Sequence, residues 1–300
     1  MRISTTEWNR AIMIDREYRR RGEKLSRESL SECLQVTDSK SRILMGALEN
    51  IDIFQARPCD IIAADQTELI LADLHIPYHD TTAIECALNY ADPLQPDIII
   101  LLGDILDFYQ ISVFSKKPAN ASVNTELQKA EKFLSDLRLR YPKSRIIYYL
   151  GNHEERLECY ILKNADKLYD LVSDLLPRKL NLEKHRIELE TQFIKIGHLY
   201  HLHGHEKPRG GNPQYITNVL WKYIHANFVV GHFHRSENRV FSHIEKTKRY
   251  MGCAVGWLAL PEAAEYSRLN NWNQGFAIVQ YDSVGNFKID NRRVVSGEIY

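Results

Sequence analysis

Five short clusters in this 300-residue chain carry side chains able to hold metal ions. In order they are Asp73-Leu74-His75, Gly103-Asp104-Ile105-Leu106-Asp107, Gly151-Asn152-His153-Glu154, His203-Gly204-His205 and Gly231-His232-Phe233-His234. Seven of the twelve histidines fall between His198 and His234, an imidazole density that asks for a metal. Taken singly, each cluster has an ordinary explanation: Gly-Asp and Gly-Asn pairs form turns, and one histidine at a strand end is commonly a hydrogen-bonded structural residue. Taken together they offer imidazole, carboxylate and amide donors, a mixed set that two divalent cations need for hydrolytic chemistry. The five cysteines, at 33, 59, 86, 159 and 253, form no C-x-x-C pair and read as reduced core residues, not as a zinc knuckle or disulfide framework.

Clusters so far apart in sequence act together only if the fold brings them to one rim. Apolar runs at 68–72, 98–102, 145–150, 199–202 and 227–230 read as strands, and each leads straight into one cluster. Amphipathic stretches at about 80–91, 124–140, 154–174 and 213–225 read as intervening helices. This alternation predicts an α/β chain, in which sites lie beyond the carboxyl ends of strands. Segments 249–255, 276–281 and 287–295, the last two flanking an Asp282-Ser283-Val284-Gly285-Asn286 turn, read as antiparallel strands closing a second sheet.

Residues 1–55 read as a separate helical region, followed by a linker at 56–66 and the main domain at 67–300. A helix from Ser26 with Leu30, Cys33 and Leu34 on one side, a Gln35-Val36-Thr37 turn, and a helix opening at Asp38 trace the outline of a helix-turn-helix. Such a pair docks nucleic acid through Arg27, Lys40 and Arg42. The other reading is a hairpin packed on the main domain or against a second copy, which would make the protein a homo-oligomer.

Lys plus Arg equals Asp plus Glu at 39 each, so no global basic field announces a polyanionic partner, which must be sought in local patches. A chain with 44% hydrophobic and 26% charged residues is an ordinary globular one, which excludes disorder. The longest polar-free stretch, Met251–Leu260, is far short of the roughly 20 apolar residues of a membrane span. The N-terminal segment is broken throughout by Arg, Glu and Asp, so the expected location is cytoplasmic.

In these five blocks the chain resembles the calcineurin-like metallophosphoesterases, whose D-x-H, G-D-x-x-D, G-N-H-[DE], H-G-H-like and G-H-x-H blocks occur here in the same order, within roughly residues 67–295. The resemblance implies a four-layer β-sandwich flanked by helices, with the small helix-turn-helix-like region outside it. It implies two divalent cations, manganese first, with iron, zinc or nickel also suited to these donors. Asp73, His75 and His234 would hold one, Asn152, His203 and His232 the other, and Asp104 would bridge them. His201 is in phase with His203 on its strand, so both can face the metals; the H-G-H block normally uses its first histidine, which points to His203. The resemblance makes His153 a general acid or transition-state stabiliser, with Asp107 orienting it and a metal-bound hydroxide as nucleophile.

Around this set the readings are more open. Arg156 can grip a phosphate oxygen or make a helix-surface salt bridge. His205 can touch substrate or be a solvated loop residue, and Lys207 and Arg209 can line a path for a polyanion or simply be solvated. Gly252-Cys253-Ala254 followed by Asn271-Trp272-Asn273-Gln274-Gly275-Phe276 is similar to the ending of the phage and prophage, exonuclease-like branch. The expected activity is therefore phosphodiester hydrolysis, of nucleic acid first. The alternative is a phosphomonoesterase or a small- or cyclic-nucleotide hydrolase, including a phosphoprotein phosphatase.

Overall fold

A computed structural model describes residues 25–34, 36–37, 40–41, 44, 65–112, 122–169, 174–206, 215–242, 249–261 and 271–300. The chain divides into two compact units, Met1–Gln55 with Glu158–Val172, and Ala56–Leu157 with Ser173–Tyr300. In the first, helix α1 (Arg27–Leu34) buries Leu30 and Leu34, while Cys33, predicted on the same side, is exposed at the edge of that stripe. Asp38 and Arg42, expected on a second helix, lie outside the described residues, as do Lys207 and Arg209. Among the described residues, no helix is long and apolar enough to cross a membrane.

The second unit is built on two sheets. The seven-stranded sheet comprises β1 (Gln66–Leu71), β2 (Ile98–Leu102), β3 (Arg145–Tyr149), β4 (Ile187–Glu190), β10 (Gln274–Tyr281), β11 (Phe287–Val295) and β12 (Glu298–Ile299), in the order β12-β11-β10-β1-β2-β3-β4. The five-stranded sheet comprises β5 (Ile194–Ile196), β6 (Leu199–Leu202), β7 (Asn227–Val230), β8 (Glu237–Ser242) and β9 (Arg249–Ala254), in the order β5-β6-β7-β9-β8. Alternation along the strands separates two cores. Leu69, Leu71, Ile99, Leu101 and Tyr148 face helices α2 (Thr81–Ala91) and α3 (Val123–Arg140), meeting Ala83, Ala87, Ala130 and Leu134. Ile70, Ala72, Ile100, Leu102 and Ile147 face the other sheet and pack on Ile196, Leu199, Val229 and Cys253. Each fully buried Leu or Ile contributes roughly 1.5–3 kcal/mol relative to exposure, and these two faces hold the sandwich together.

The helices begin where their caps dictate. Asp80 accepts the Thr82 and Ala83 N–H groups ahead of α2, and Ser122 accepts that of Thr125 ahead of α3. Helix α4 (Asn152–Ala165) opens directly on the Gly-Asn-His-Glu cluster, and α5 (Leu175–Lys179) follows it. On the outer face of the five-stranded sheet, α6 (Ile216–Ile224) buries Ile216, Leu220 and Ile224, and its Trp221 stacks on Phe241 at 4.6 Å. The layers are thus helix, sheet, sheet, helix.

Two sequence expectations are corrected. Of the cysteines expected in the core, Cys33 and Cys159 are exposed. The tail strands do not close a single second sheet: β9 pairs in parallel with β7 in the five-stranded sheet, whereas β10 runs antiparallel beside β1 in the other, with β11 outside it. The reason is two-sided apolarity. Phe276 and Ile278 enter the helix-side core while Ala277, Val279 and Tyr281 enter the inter-sheet core, and a strand apolar on both faces is stable only where both are covered. The site depends on the remaining pairings: β1, β2 and β3 are mutually parallel, as are β6 and β7, so all five clusters emerge at carboxyl ends of strands.

Candidate metal centre

The loops that leave these strands are held in unusual backbone conformations. Asp73 (φ 54°), His75 (φ 49°), Asp104 (φ 50°), His232 (φ 64°) and His234 (φ 59°) are all left-handed, which costs a side-chain-bearing residue roughly 1–3 kcal/mol. Loop-to-loop hydrogen bonds impose the geometry: Asp73 N–H donates to Gly103 O (3.1 Å), His75 N–H to Asp104 O (2.9 Å) and Ile76 N–H to Ile105 O (2.8 Å). The glycines admit the close approach, since a Cβ on Gly103 would collide with the His203 ring and one on Gly151 with the Asp104 carboxylate.

The result is convergence. Asp73, His75, Asp104 and His234 form one group of side chains, and Asp104, His203 and His232 another, with the donor atoms within each lying inside 4.8 Å of one another. Asp104 belongs to both. His75 Nε2 is 3.2 Å from His234 Nε2, which lies 3.5 Å from Asp73 Oδ1. His203 Nδ1 pairs with Leu102 O (2.8 Å), aiming Nε2 at Asp104 Oδ2 (3.1 Å). His153 N–H donates to Asp104 Oδ1 (2.9 Å), which seats the neighbouring Asn152 at the start of α4.

These residues fit divalent cations. Asn152 Oδ1, His203 Nε2 and His232 Nδ1 are buried without a hydrogen-bond partner, although buried polar atoms in folded proteins are nearly always paired. Burial alone would push the His203 pKa down, but the adjacent Asp104, with Asp73 and Glu206, raises it to about 10. Burial raises Asp104, yet the imidazoles of His153, His203 and His75 hold it well below the usual carboxylate range. Burial, with His203 adding to it, lowers His232 well below the usual imidazole value, which leaves a neutral ring with a lone pair to offer.

Asp107 does more than orient one ring. Its Oδ1 lies 3.0 Å from His75 Nδ1 and 3.1 Å from His153 Nδ1, and its backbone carbonyl is 2.8 Å from the same His153 nitrogen. Arg156 is neither on the solvent face nor free: Nη2 meets His153 Nε2 at 2.7 Å and Nη1 donates to Asp107 O at 2.8 Å. A guanidinium only donates, so His153 Nε2 is the acceptor and the ring proton sits on Nδ1. His205 is not a solvated loop residue either; its ring is 5.4 Å from that of His203 and its Nε2 is 3.1 Å from Glu155 Oε1.

Three carboxylates beneath the loops were not singled out in the sequence. Glu154 accepts the backbone N–H groups of Asp104 (3.1 Å), Leu106 (2.9 Å) and Gly151 (2.8 Å) and the Tyr148 hydroxyl (2.9 Å). Glu206 accepts Gly204 N–H (2.5 Å), His203 N–H (3.2 Å) and the Tyr149 hydroxyl (2.7 Å). Glu126, in the first turn of α3, accepts the N–H of the left-handed Phe108. The signal for Glu154 was its place in the Gly-Asn-His-Glu block; Glu206 and Glu126 carry none. His201 faces the same way as His203 but deeper between the sheets, where Glu68 takes its Nε2 at 2.8 Å and Tyr281 donates to the other Glu68 oxygen at 2.7 Å.

A model of the calcineurin-like phosphoesterase family matches residues 69–268. The Gene 54 protein of Mycobacterium phage L5 is 24% identical over 251 residues, covering 75% of this chain and 96% of that protein. Among solved structures, a phosphoesterase from E. coli, Yfce, is similar at 13% identity and TM-score 0.36 over 75% of this chain and 98% of its own. A dimetal phosphatase from Danio rerio is similar at 10% identity and TM-score 0.35 over 76% and 96%. With a family match across two thirds of its length, and with all five blocks of that family drawn to one rim, the chain belongs to the calcineurin-like phosphoesterases and is a phosphate-ester hydrolase.

Proposed function

We propose that the protein is a two-metal phosphodiesterase acting on nucleic acid. The observation that carries this reading is the membership of Asp104 in both ligand groups, since a shared carboxylate offsets the mutual repulsion of two neighbouring cations. Asp73, His75 and His234 would hold one ion, and Asn152, His203 and His232 the other. When bound, the cations supply Lewis acidity toward the phosphoryl oxygens and lower the pKa of water. Manganese is our first choice, because the donors are imidazole, carboxylate and amide with no thiolate; iron, zinc and nickel accept the same set.

The chain's own residues do the rest. His153 stands over the centre, its Nε2 3.7 Å from Asp104 Oδ2, and it is oriented through Nδ1 by Asp107. There it would assist departure of the leaving oxygen. Arg156 would exchange its hydrogen bond on His153 for a phosphate oxygen, which would free Nε2 to take up a proton from solvent and pass it to the leaving oxygen. His205 would contact substrate beside His203.

Nucleic acid is favoured by the phage-type ending at 271–276, by the similarity to a mycobacteriophage protein and by the helix-turn-helix outline within 1–55, which we place as a docking region ahead of the linker. We place the protein in the cytoplasm. A cavity of about 300 Å³ close to the metal residues supports the second reading, a small- or cyclic-nucleotide hydrolase, since that volume suits one nucleotide. The test is a screen of purified protein with Mn²⁺ against p-nitrophenyl phosphate, its bis ester, single- and double-stranded DNA and cyclic nucleotides. Cleavage of the bis ester and DNA is expected; turnover of the monoester alone would overturn the reading.

A further inference from the structure

Two tryptophans not used in the chemistry above stand against the metal centre. Trp257 is 4% exposed and its ring stacks on that of His234, with centroids 5.0 Å apart and planes 14° from parallel. Trp272, partly buried, meets His234 edge to face at 4.3 Å and Trp257 at 5.1 Å. The backbone locks the pair in place: Trp257 N–H donates to Asn273 O (3.1 Å) and Gly275 N–H to Trp257 O (3.0 Å). The cavity of about 300 Å³ opens from these indoles, and its other walls include Gln274, Val294, Val295 and Ser296.

We propose that this cavity is a nucleobase subsite, which receives the base of the nucleotide whose phosphate lies on the metal residues. The proposal rests on the phosphodiesterase reading above. Three features select a base. Trp272, partly buried, offers flat π-surface, and the buried Trp257 behind it holds that ring in place, the feature that binds bases with little regard to sequence. Two of its lining residues, Trp257 and Trp272, touch His234, so the cavity adjoins the metal centre. Gln274 donates both amide protons of Nε2, to Asp80 Oδ2 (2.7 Å) and Ala259 O (2.9 Å), which fixes the amide and leaves its carbonyl oxygen to accept from a base N–H. The volume is at the small end of ligand sites and suits one base with part of its sugar, not a duplex. The substrate unit at the centre is therefore a single, unpaired nucleotide.

The test compares two esters with one leaving group, thymidine 5′-(p-nitrophenyl phosphate) and methyl p-nitrophenyl phosphate, on the Mn²⁺-loaded full chain. Trp272→Ala removes the platform. Val295→Tyr, from a half-exposed position on the cavity wall, fills the cavity while leaving both indoles in the chain. Each should raise KM for the thymidine ester by roughly 5- to 150-fold, the worth of one stacked base, and leave the methyl ester within twofold. Metal content by elemental analysis accompanies each variant; if Trp272→Ala loses metal, Val295→Tyr decides. Equal changes for both esters, or none, overturn the subsite. If wild type hydrolyses neither ester, the phosphodiesterase reading fails, and fluorescence quenching still reads the cavity. Thymidine 5′-monophosphate must quench the tryptophan emission more than 2-deoxyribose 5-phosphate does, and equal quenching overturns the proposal.

Discussion

Glu154 holds Asp104 from beneath: its Oε2 accepts the Asp104 backbone N–H at 3.1 Å while the same oxygen takes Gly151 N–H at 2.8 Å. One buried carboxylate thereby ties the loop after β2 to the loop after β3, across a separation of 50 residues, and keeps Asp104 in its left-handed conformation.

Glu154→Gln should therefore disturb the centre without removing a donor. An amide NH₂ would face backbone donors, and each buried N–H left unpaired costs about 1–3 kcal/mol. The expected outcome is a loss of roughly 2–4 kcal/mol in urea unfolding, together with weaker metal retention on dialysis. Unchanged stability and metal content would refute the role given to Glu154.

Asp104→Asn tests the shared carboxylate. A neutral amide cannot offset the repulsion of two neighbouring cations, so occupancy of at least one ion should fall and turnover should collapse. Elemental analysis and bis-ester hydrolysis check this. Full occupancy with normal turnover would show that Asp104 is no bridge.

For His153→Ala, we expect both metals to remain and hydrolysis to slow by roughly 10²–10⁴, the usual worth of a general acid. The deficit should shrink as the leaving group improves, because a good leaving group needs no proton. Metal loss in this variant would make His153 a ligand instead.

Glu126 supplies a pH signature. Burial pushes its carboxyl up to about 8, with the neighbouring Asp107 adding to the shift. Between the ordinary glutamate value of about 4.3 and this raised value the folded chain keeps a proton that the unfolded chain has released, so stability falls as pH rises through that window. Glu126→Gln should flatten that fall, by at most about 1.4 kcal/mol per pH unit, in unfolding measured from pH 5 to 8. A slope identical to wild type would exclude Glu126 as its source.

Much of this centre was legible in the sequence for local reasons. Apolar alternation marks a strand, and a turn-forming Gly, Asp or Asn marks its end, so the five clusters and the donor types of Asp73, His75, Asp104, Asn152, His203, His232 and His234 could be placed at carboxyl ends of strands before any contact was known. The phase of His201 with His203 was equally visible. Strand patterning records which faces are covered, however, and not which strand lies alongside; only the tertiary structure put β10 beside β1 and sent His201 to Glu68. Closure between distant loops is likewise unwritten in any local window. Glu206 and Glu126 look like ordinary surface carboxylates until backbone N–H groups are brought to them, and Arg156 like a helix-surface cation until α4 turns it onto His153. Trp257 and Trp272 become one wall with His234 only when the strand ends meet, because stacking depends on ring positions that are set by hydrogen bonds far away in the chain.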